Sequence, residues 1–498
     1  MTEWICARCI SRLRSSAHRT FSTSRAYRER GSVASLLARN AEADHVTVHG
    51  WVRRVRRQKK VAFAAIGDGS SLLPVQAVLK PDDAAQLSTG AAVSLFGSWR
   101  ASHGAKQSHE LQAREVQVLG DNDAEHNPIQ PKYQTPEYLR TLPHLRPRIP
   151  TNTLLLRLRS QVIASTTSFF NRAGFIQCHT PIITSSDCEG AGEVFTVSSN
   201  HHPKPPTETP IEHFFRTPKY LTVSAQLHLE ALSQAVDKVW TLSPTFRAEK
   251  SDTPRHLSEF YMLEAEQSFT QNLSDVMTTV ENLLNAISTD LHSSKLAEEL
   301  LKPHQDHPSS NPDHPLTTPA DTLTDRWTGL ASSNWPRIPY TTAITHLQTA
   351  ASHNPSLFAT PPTHPTGLQA EHERYLAATL GRNRHPIFIT DYPAHQKPFY
   401  MSPSSQDTVS SFDLLVPDLC ELAGGSLREH RAAELLQAMQ AKGVEGKDLE
   451  WYQDLRRYGS VPHGGFGLGF DRLLCYLSGV GNVRDVVAFP RWYGRAEC

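Results

Sequence analysis

Residues 241–266 read TLSPTFRAEKSDTPRHLSEFYMLEAE, and the fold class turns on this run. It carries Arg247 and Glu249, then a polar stretch with Arg255 and His256, then Phe260 and Glu264. From Gly174 onward, strands, helices and long loops follow one another with no parallel βαβ rhythm. No Walker A loop occurs, and no GxGxxG follows a strand, so neither usual phosphate-binding loop is present. The class expected is α+β.

Moving toward the N-terminus, LLLRLRSQVIASTTSFFNRAGF sets Leu155, Leu158, Val162, Ser165 and Phe169 near one helical face, and Gly174 is placed to stop the helix. Before it, residues 123–150 are rich in proline and polar residues and read as a hinge. Residues 44–122 hold about five short strands, among them VTVHGWVRRVRR and a strand–Asp-Gly–strand pattern in VAFAAIGDGSSLLPVQAVL. That count in so short a stretch suggests a small OB-fold β-barrel. The basic run from Arg53 to Lys60 contains no acid and suits phosphate contacts.

The first 30 residues are a separate matter. Arg8, Arg12, Arg14, Arg19, Arg25 and Arg28 are accompanied by many Ser and Thr and, before Glu29, by one acid, Glu3. Arg-rich, Ser-rich and acid-poor is the composition of a mitochondrial transit peptide. Over the whole chain 50 basic and 50 acidic residues cancel, so any attraction to RNA rests on local patches. No apolar run approaches the ~18 residues of a membrane span. Cys6 and Cys9 form a CxxC pair with no second pair to complete a zinc site. Two Pro/His-rich stretches, near 199–213 and 295–333, read as insertions, forming surface loops or disordered segments.

The opening run resembles motif 2 of class II aminoacyl-tRNA synthetases. VPHGGFGLGFDRLLCYLSG looks like their motif 3, and GFIQCHTPIIT, centred on Pro181, like motif 1, the dimer element. The barrel start resembles the anticodon-binding domain of the aspartyl, asparaginyl and lysyl subgroup. Three motifs in order make a chance match untenable. SDCEGAGEVF, LTVSAQLHLEA, ELAGGSLRE and RRYGSVPHGGFGLGFDRL are most similar to the asparaginyl enzymes. The resemblance implies a catalytic domain over 151–498, built on an antiparallel sheet flanked by helices and paired as a homodimer.

What the resemblance implies residue by residue is specific. Joining a carboxylate to the ATP α-phosphate calls for positioned cations and Mg²⁺. Arg247 corresponds to the arginine bridging α-phosphate and substrate carboxylate, a task for a planar fork. Arg472 corresponds to the γ-phosphate clamp. Glu249, Arg255, His256, Phe260 and Gly469 complete the expected ATP site, with Gly467 beside it. Asp413 and Glu421 look like the Mg²⁺ acids. Glu189 and Gln226 are expected at the α-amino group of the amino acid. In the barrel, Phe63 resembles the residue that stacks an anticodon base, Gln76 one that bonds the middle uracil, and Arg53 a phosphate contact of the tRNA.

Asparagine and aspartate are nearly isosteric, so the choice between them rests on charge. The aspartyl enzymes carry a lysine three residues after a glutamine; here Gln226 is followed at that spacing by Leu229. Glu264 is expected to accept from the asparagine amide nitrogen and Arg428 to donate to its oxygen. Two other readings share the motifs. An aspartyl enzyme is opposed by Leu229, and a non-catalytic RNA-binding relative by the presence of Arg247, Glu421 and Arg472.

Overall fold

The computed structural model describes residues 29–104, 107–130, 132–185, 194–199, 213–306, 318–444 and 447–498. Most of the proposed transit segment, Glu189 and much of both insertions lie outside them. The chain divides into two compact units at Pro131/Lys132.

The first unit is a closed barrel of five strands: β1 (Ala43–Arg57), β2 (Ala62–Gly67), β3 (Val75–Leu79), β4 (Ala92–Ala101) and β5 (His109–Gly120). They run in the order β1-β2-β3-β5-β4, and β4 pairs back with β1, so no edge is left open. Strand alternation sends Ala62, Ala64 and Ile66 inward and Phe63 outward. The small alanines suit a narrow interior. A bulge between Val52 and Arg54 leaves Arg53 without a partner on β2 and re-aims it. The unit also begins earlier than the strand pattern implied. Helix α1 (Val33–Leu37) is capped by Ser32 and buries Val33 and Leu36 in the barrel core. Its first amides are held by Asp68 at 2.9 Å and Ser70 at 2.9 Å.

The second unit starts within the stretch read as a hinge. Residues 136–150 are pinned to it: Arg140 grips Asp485 through two bonds of 2.9 and 2.6 Å, and the buried Arg146 donates to the carbonyls of Arg484, Val487 and Ala488. Helix α2 (Pro150–Arg172) follows and buries Leu154, Leu155, Leu158, Val162 and Phe170. Phe170, not Phe169, is the fully buried ring, stacked at 4.7 Å on Trp240. Gly174, at φ +78°, ends the helix in a conformation that favours glycine.

The sheet has eight strands: β6 (Ile176–Gln177), β7 (Lys238–Phe246), β8 (Glu259–Ser268), β9 (Arg337–Pro339), β10 (Ile387–Thr390), β11 (Ser411–Val416), β12 (Cys420–Leu427) and β13 (His463–Gly469). Their order is β9-β10-β11-β12-β13-β8-β7-β6. The centre is antiparallel, as expected, but both edge strands pair in parallel, which makes the sheet mixed. The edges are only two and three residues long, too short to give an alternation that a sequence reading could use. The opening run is the β7–β8 hairpin with a long loop between its strands.

Helices α3 (Gln226–Val236), α4 (Leu273–His292), α5 (Lys295–Asp306), α6 (Ala320–Leu330), α7 (Ala370–Leu380), α8 (Glu450–Arg457) and α9 (Phe470–Ser478) accompany the sheet. The second insertion is therefore not all loop. Leu323, Trp327 and Leu330 of α6 are fully buried, and the Trp327 indole donates to Leu477 O at 2.9 Å. Their i, i+4, i+7 spacing is helical, yet the flanking Pro, His and Thr obscured it.

Candidate active site

Strands β7, β8, β12 and β13 lie side by side, so residues alternating on one face of the sheet converge. Two adjoining cavities open there and share Arg247, Met262, Glu421 and Gly467.

The first cavity brings together all the residues expected around ATP: Arg247, Glu249, Arg255, His256, Phe260, Glu421, Gly469 and Arg472. Arg247 leaves the end of β7 and its guanidinium lies 5.6 Å from the centre of the Phe260 ring. Arg472 lies in the first turn of α9 and donates to Glu421 O at 3.1 Å. Its charge is 3.7 Å from the Glu421 carboxylate, and both side chains stay partly open to solvent. Its neighbour Asp471 is different. It is buried, paired with Arg159 at 2.6 Å, and accepts from Tyr261 N at 2.8 Å, so it ties α9 to α2 and β8. His256 is 3.6 Å from Glu249. Burial, with help from Arg472, Arg255 and Arg247, holds its imidazole below the usual histidine value against the pull of Glu249. A Cβ at Gly467 would meet the methyl end of Met262 at 2.9 Å, a contact that a shift of that flexible side chain relieves.

The second cavity is lined by Gln226, Leu229, Glu264, Arg428, Asp413 and Lys397, among others. Glu264 is buried and accepts from the Ser224 hydroxyl and, at 3.1 and 2.9 Å, from Ala225 N. Burial raises its carboxyl above the ordinary value, opposed by these donors and by Arg247 and Arg428. Arg428 is buried too. It grips Glu266 through Nε at 3.2 Å and Nη2 at 2.9 Å, and reaches Ser426 Oγ at 2.7 Å through Nη1. Burial works against its charge, but Glu266 and Glu230 outweigh that and hold it fully protonated. Glu266 fits only because residue 465 is glycine: a Cβ there would overlap its carboxylate. Leu229 is buried, in apolar contact with Ala225, Val239 and Cys178. The aspartyl-type lysine position is thus filled by hydrocarbon.

Several residues of this site were not found by sequence reasoning. Lys397 places Nζ 2.8 Å from each oxygen of Asp413 and 3.9 Å from the Tyr392 ring centre. Asp413, expected to be a metal acid, therefore already has a cation, and only Glu421 of the expected pair is without a lysine. Among the described residues no group of three His, Cys, Asp or Glu is arranged to hold a metal. Glu373 of α7 is the neighbouring acid, accepting from Glu421 N at 3.4 Å. Burial, reinforced by Glu421 and Asp413, pushes its carboxyl up to about 7. A folded acid with a raised value binds its proton more tightly than the unfolded chain does, so stability falls as pH climbs from about 4.5 to 7. Thermal melts without magnesium should show that decline, and Glu373→Gln should flatten it; an unchanged slope would contradict this assignment. The EAE spacing in LEAEQS did hold one signal. Residues two apart on a strand share a face, so Glu264 and Glu266 had to point together.

On the barrel, Phe63 is half-buried on the outer face with the Arg56 guanidinium 4.7 Å from its ring centre. Gln76 pairs opposite Ala65, two residues along, and so shares that face. Its Nε2 donates to Glu110 at 3.1 Å. Arg53, expected as a phosphate contact, is half-buried beside the bulge: Nη1 donates to Leu72 O at 3.4 Å, and burial lowers its pKa against the pull of Asp68. Arg54, Arg56, Arg57, Lys59 and Lys60 are the exposed cations of the run.

Two joined cavities lined by arginines and acids on a mainly antiparallel sheet fit the class II aminoacyl-tRNA synthetases, and the comparisons with known proteins show that class. Residues 136–493 match the family described as tRNA synthetases class II (D, K and N), and residues 46–119 match the OB-fold nucleic acid binding domain. The chain is 43% identical over 465 residues to an asparaginyl-tRNA synthetase of Mus musculus, covering 92% of each chain. It is 40% identical over 467 residues to the mitochondrial asparagine–tRNA ligase of Saccharomyces cerevisiae, covering 90% of this chain and 92% of the other. The crystal structure of asparaginyl-tRNA synthetase from Pyrococcus horikoshii, complexed with asparaginyl-adenylate, superposes with a TM-score of 0.76 at 30% identity, covering 90% of this chain and 95% of that one. The chain belongs to the asparaginyl-tRNA synthetase family.

Proposed function

We propose that this chain activates L-asparagine with ATP and transfers it to tRNA(Asn) in the mitochondrial matrix. The observation that carries the amino-acid choice is the second cavity. Its far end offers an acid, Glu264, and a clamped arginine, Arg428, while the position of an aspartyl-type lysine is the buried Leu229. An amide satisfies both groups, giving N–H to the carboxylate and accepting from the guanidinium. A substrate carboxylate would face Glu264 unpaired, at a cost of several kcal/mol.

Arg247, lining both cavities, is placed to hold the α-phosphate beside the substrate carboxylate, and Arg472 to hold the outer phosphates. Mg²⁺, when bound, would neutralise phosphate charge. Glu421 suits it best, because its carboxylate is partly open and borders both cavities. Asp413 joins only if Lys397 releases it. Gln226, with Glu189, would take the α-amino group. Arg54, Arg56, Phe63 and Gln76 would meet the anticodon. Dimerisation through motif 1 is supported by the exposed Ile176, Ile182 and Ile183, with Leu156 and Ile163 exposed on α2. The mitochondrial location rests on the composition of the first 28 residues and on the name of the yeast relative.

Leu229→Lys tests the amino-acid choice. A lysine there adds a cation to the cavity, so asparagine-dependent pyrophosphate exchange should fall by at least about tenfold. Unchanged asparagine kinetics would remove this basis for selectivity.

A further inference from the structure

Beneath the amino-acid cavity lies a second layer of charge. Glu230, on the second turn of α3, is completely buried. Its Oε2 accepts from Tyr452 OH at 2.7 Å and Arg456 Nη2 at 2.6 Å, both on α8. Its Oε1 accepts from Gln226 Nε2 at 3.0 Å and stands 3.9 Å from Arg428 Nε. We infer that Glu230 is a positioning residue for substrate: it locks the Gln226 amide so that its carbonyl oxygen, not its NH₂, is presented to the α-ammonium group of the amino acid. This rests on the reading of Gln226 given above and deepens it.

A carboxylate accepts only, so the amide group facing it must be the NH₂. Burial opposes ionisation of Glu230, but Arg456, His463 and Arg428 outweigh it and keep the acid charged. With the nitrogen drawn down to Glu230, the amide carbonyl is left for the cavity that Gln226 lines. An ammonium needs acceptors, so this orientation is the productive one. A flipped amide would set N–H against N–H. The backbone is held as well: Gln226 N donates to Ser224 Oγ at 3.1 Å, and that hydroxyl donates to Glu264. One short segment, Ser224 to Glu230, thus fixes both ends of the substrate.

Glu230→Gln keeps the shape but lets the new amide donate, so Gln226 is no longer held one way. The test compares asparagine with succinamic acid, which lacks the α-amino group, as an inhibitor of pyrophosphate exchange. In Glu230→Gln the KM for asparagine should rise about tenfold, with the inhibition constant of succinamic acid and the KM for ATP little changed. A merely structural role would weaken all three together, and that result would overturn the inference. Gln226→Ala is the control. It should raise the asparagine KM alone, and adding Glu230→Gln to it should raise that KM no further. If Gln226→Ala leaves the asparagine KM unchanged, the placement of the α-amino group fails and this inference with it. If Gln226→Ala behaves as expected but Glu230→Gln adds its full effect on top, only the role of Glu230 fails. Should Glu230→Gln not fold, Tyr452→Phe frees one side of the Glu230 carboxylate; a two- to threefold rise in the asparagine KM alone supports the inference, and no selective rise overturns it.

Discussion

Arg247→Ala should abolish formation of the adenylate while leaving the protein folded. Arg247 borders both cavities at the place where an α-phosphate and a carboxylate must meet. Bringing two anions together and stabilising charge on the phosphate oxygens is the whole of the chemical task. Losing one preorganised cationic fork there costs about a hundred- to a thousandfold or more in rate. The fold should survive, because the side chain lines the cavities and meets the core only through the half-buried Phe260 at its margin. Asparagine-dependent pyrophosphate exchange and a thermal melt check the two halves separately. Near-normal exchange would contradict the assigned role.

Arg428→Ala should do the opposite with respect to the fold: lose activity and stability together. Its guanidinium compensates Glu266 and lies beside Glu230 in the interior. Removing one partner of a buried pair leaves a charge uncompensated, typically at about 3–5 kcal/mol. Lysine should not rescue it, since one ammonium cannot span both Glu266 oxygens and Ser426 as the fork does. A lower melting temperature with exchange lost in both Arg428→Ala and Arg428→Lys is the expected result. Full stability in the alanine variant would show that the clamp is not what holds this region.

How much of this was legible in the sequence depends on the kind of signal. The barrel was, because alternation in AFAAIG and VQAVL is a period-two pattern that survives without context. The convergence of the residues expected around ATP was too, since all but Glu421 sit in two short runs, 247–260 and 469–472, that hairpin and helix bring together. The half-burial of Arg53 was not legible because a single bulge shifts the register, and a bulge leaves no mark in a run of arginines. Lys397 and Glu373 were not found because each acts through an acid on another element, Asp413 and Glu421, 16 and 48 residues on; Glu230 was missed although its i, i+4 spacing from Gln226 on a helix was there to read. Helix α6 was missed for another reason, its apolar stripe being diluted by polar residues on the exposed face.

The central claim is that the amino-acid cavity takes a neutral side-chain amide and rejects a carboxylate. The most direct measurement is amino-acid-dependent pyrophosphate exchange by the purified chain, with asparagine and aspartate compared at matched concentration. Strong exchange with asparagine and a rate at least about a hundredfold lower with aspartate is predicted. Comparable exchange with aspartate, or none with asparagine, would contradict it.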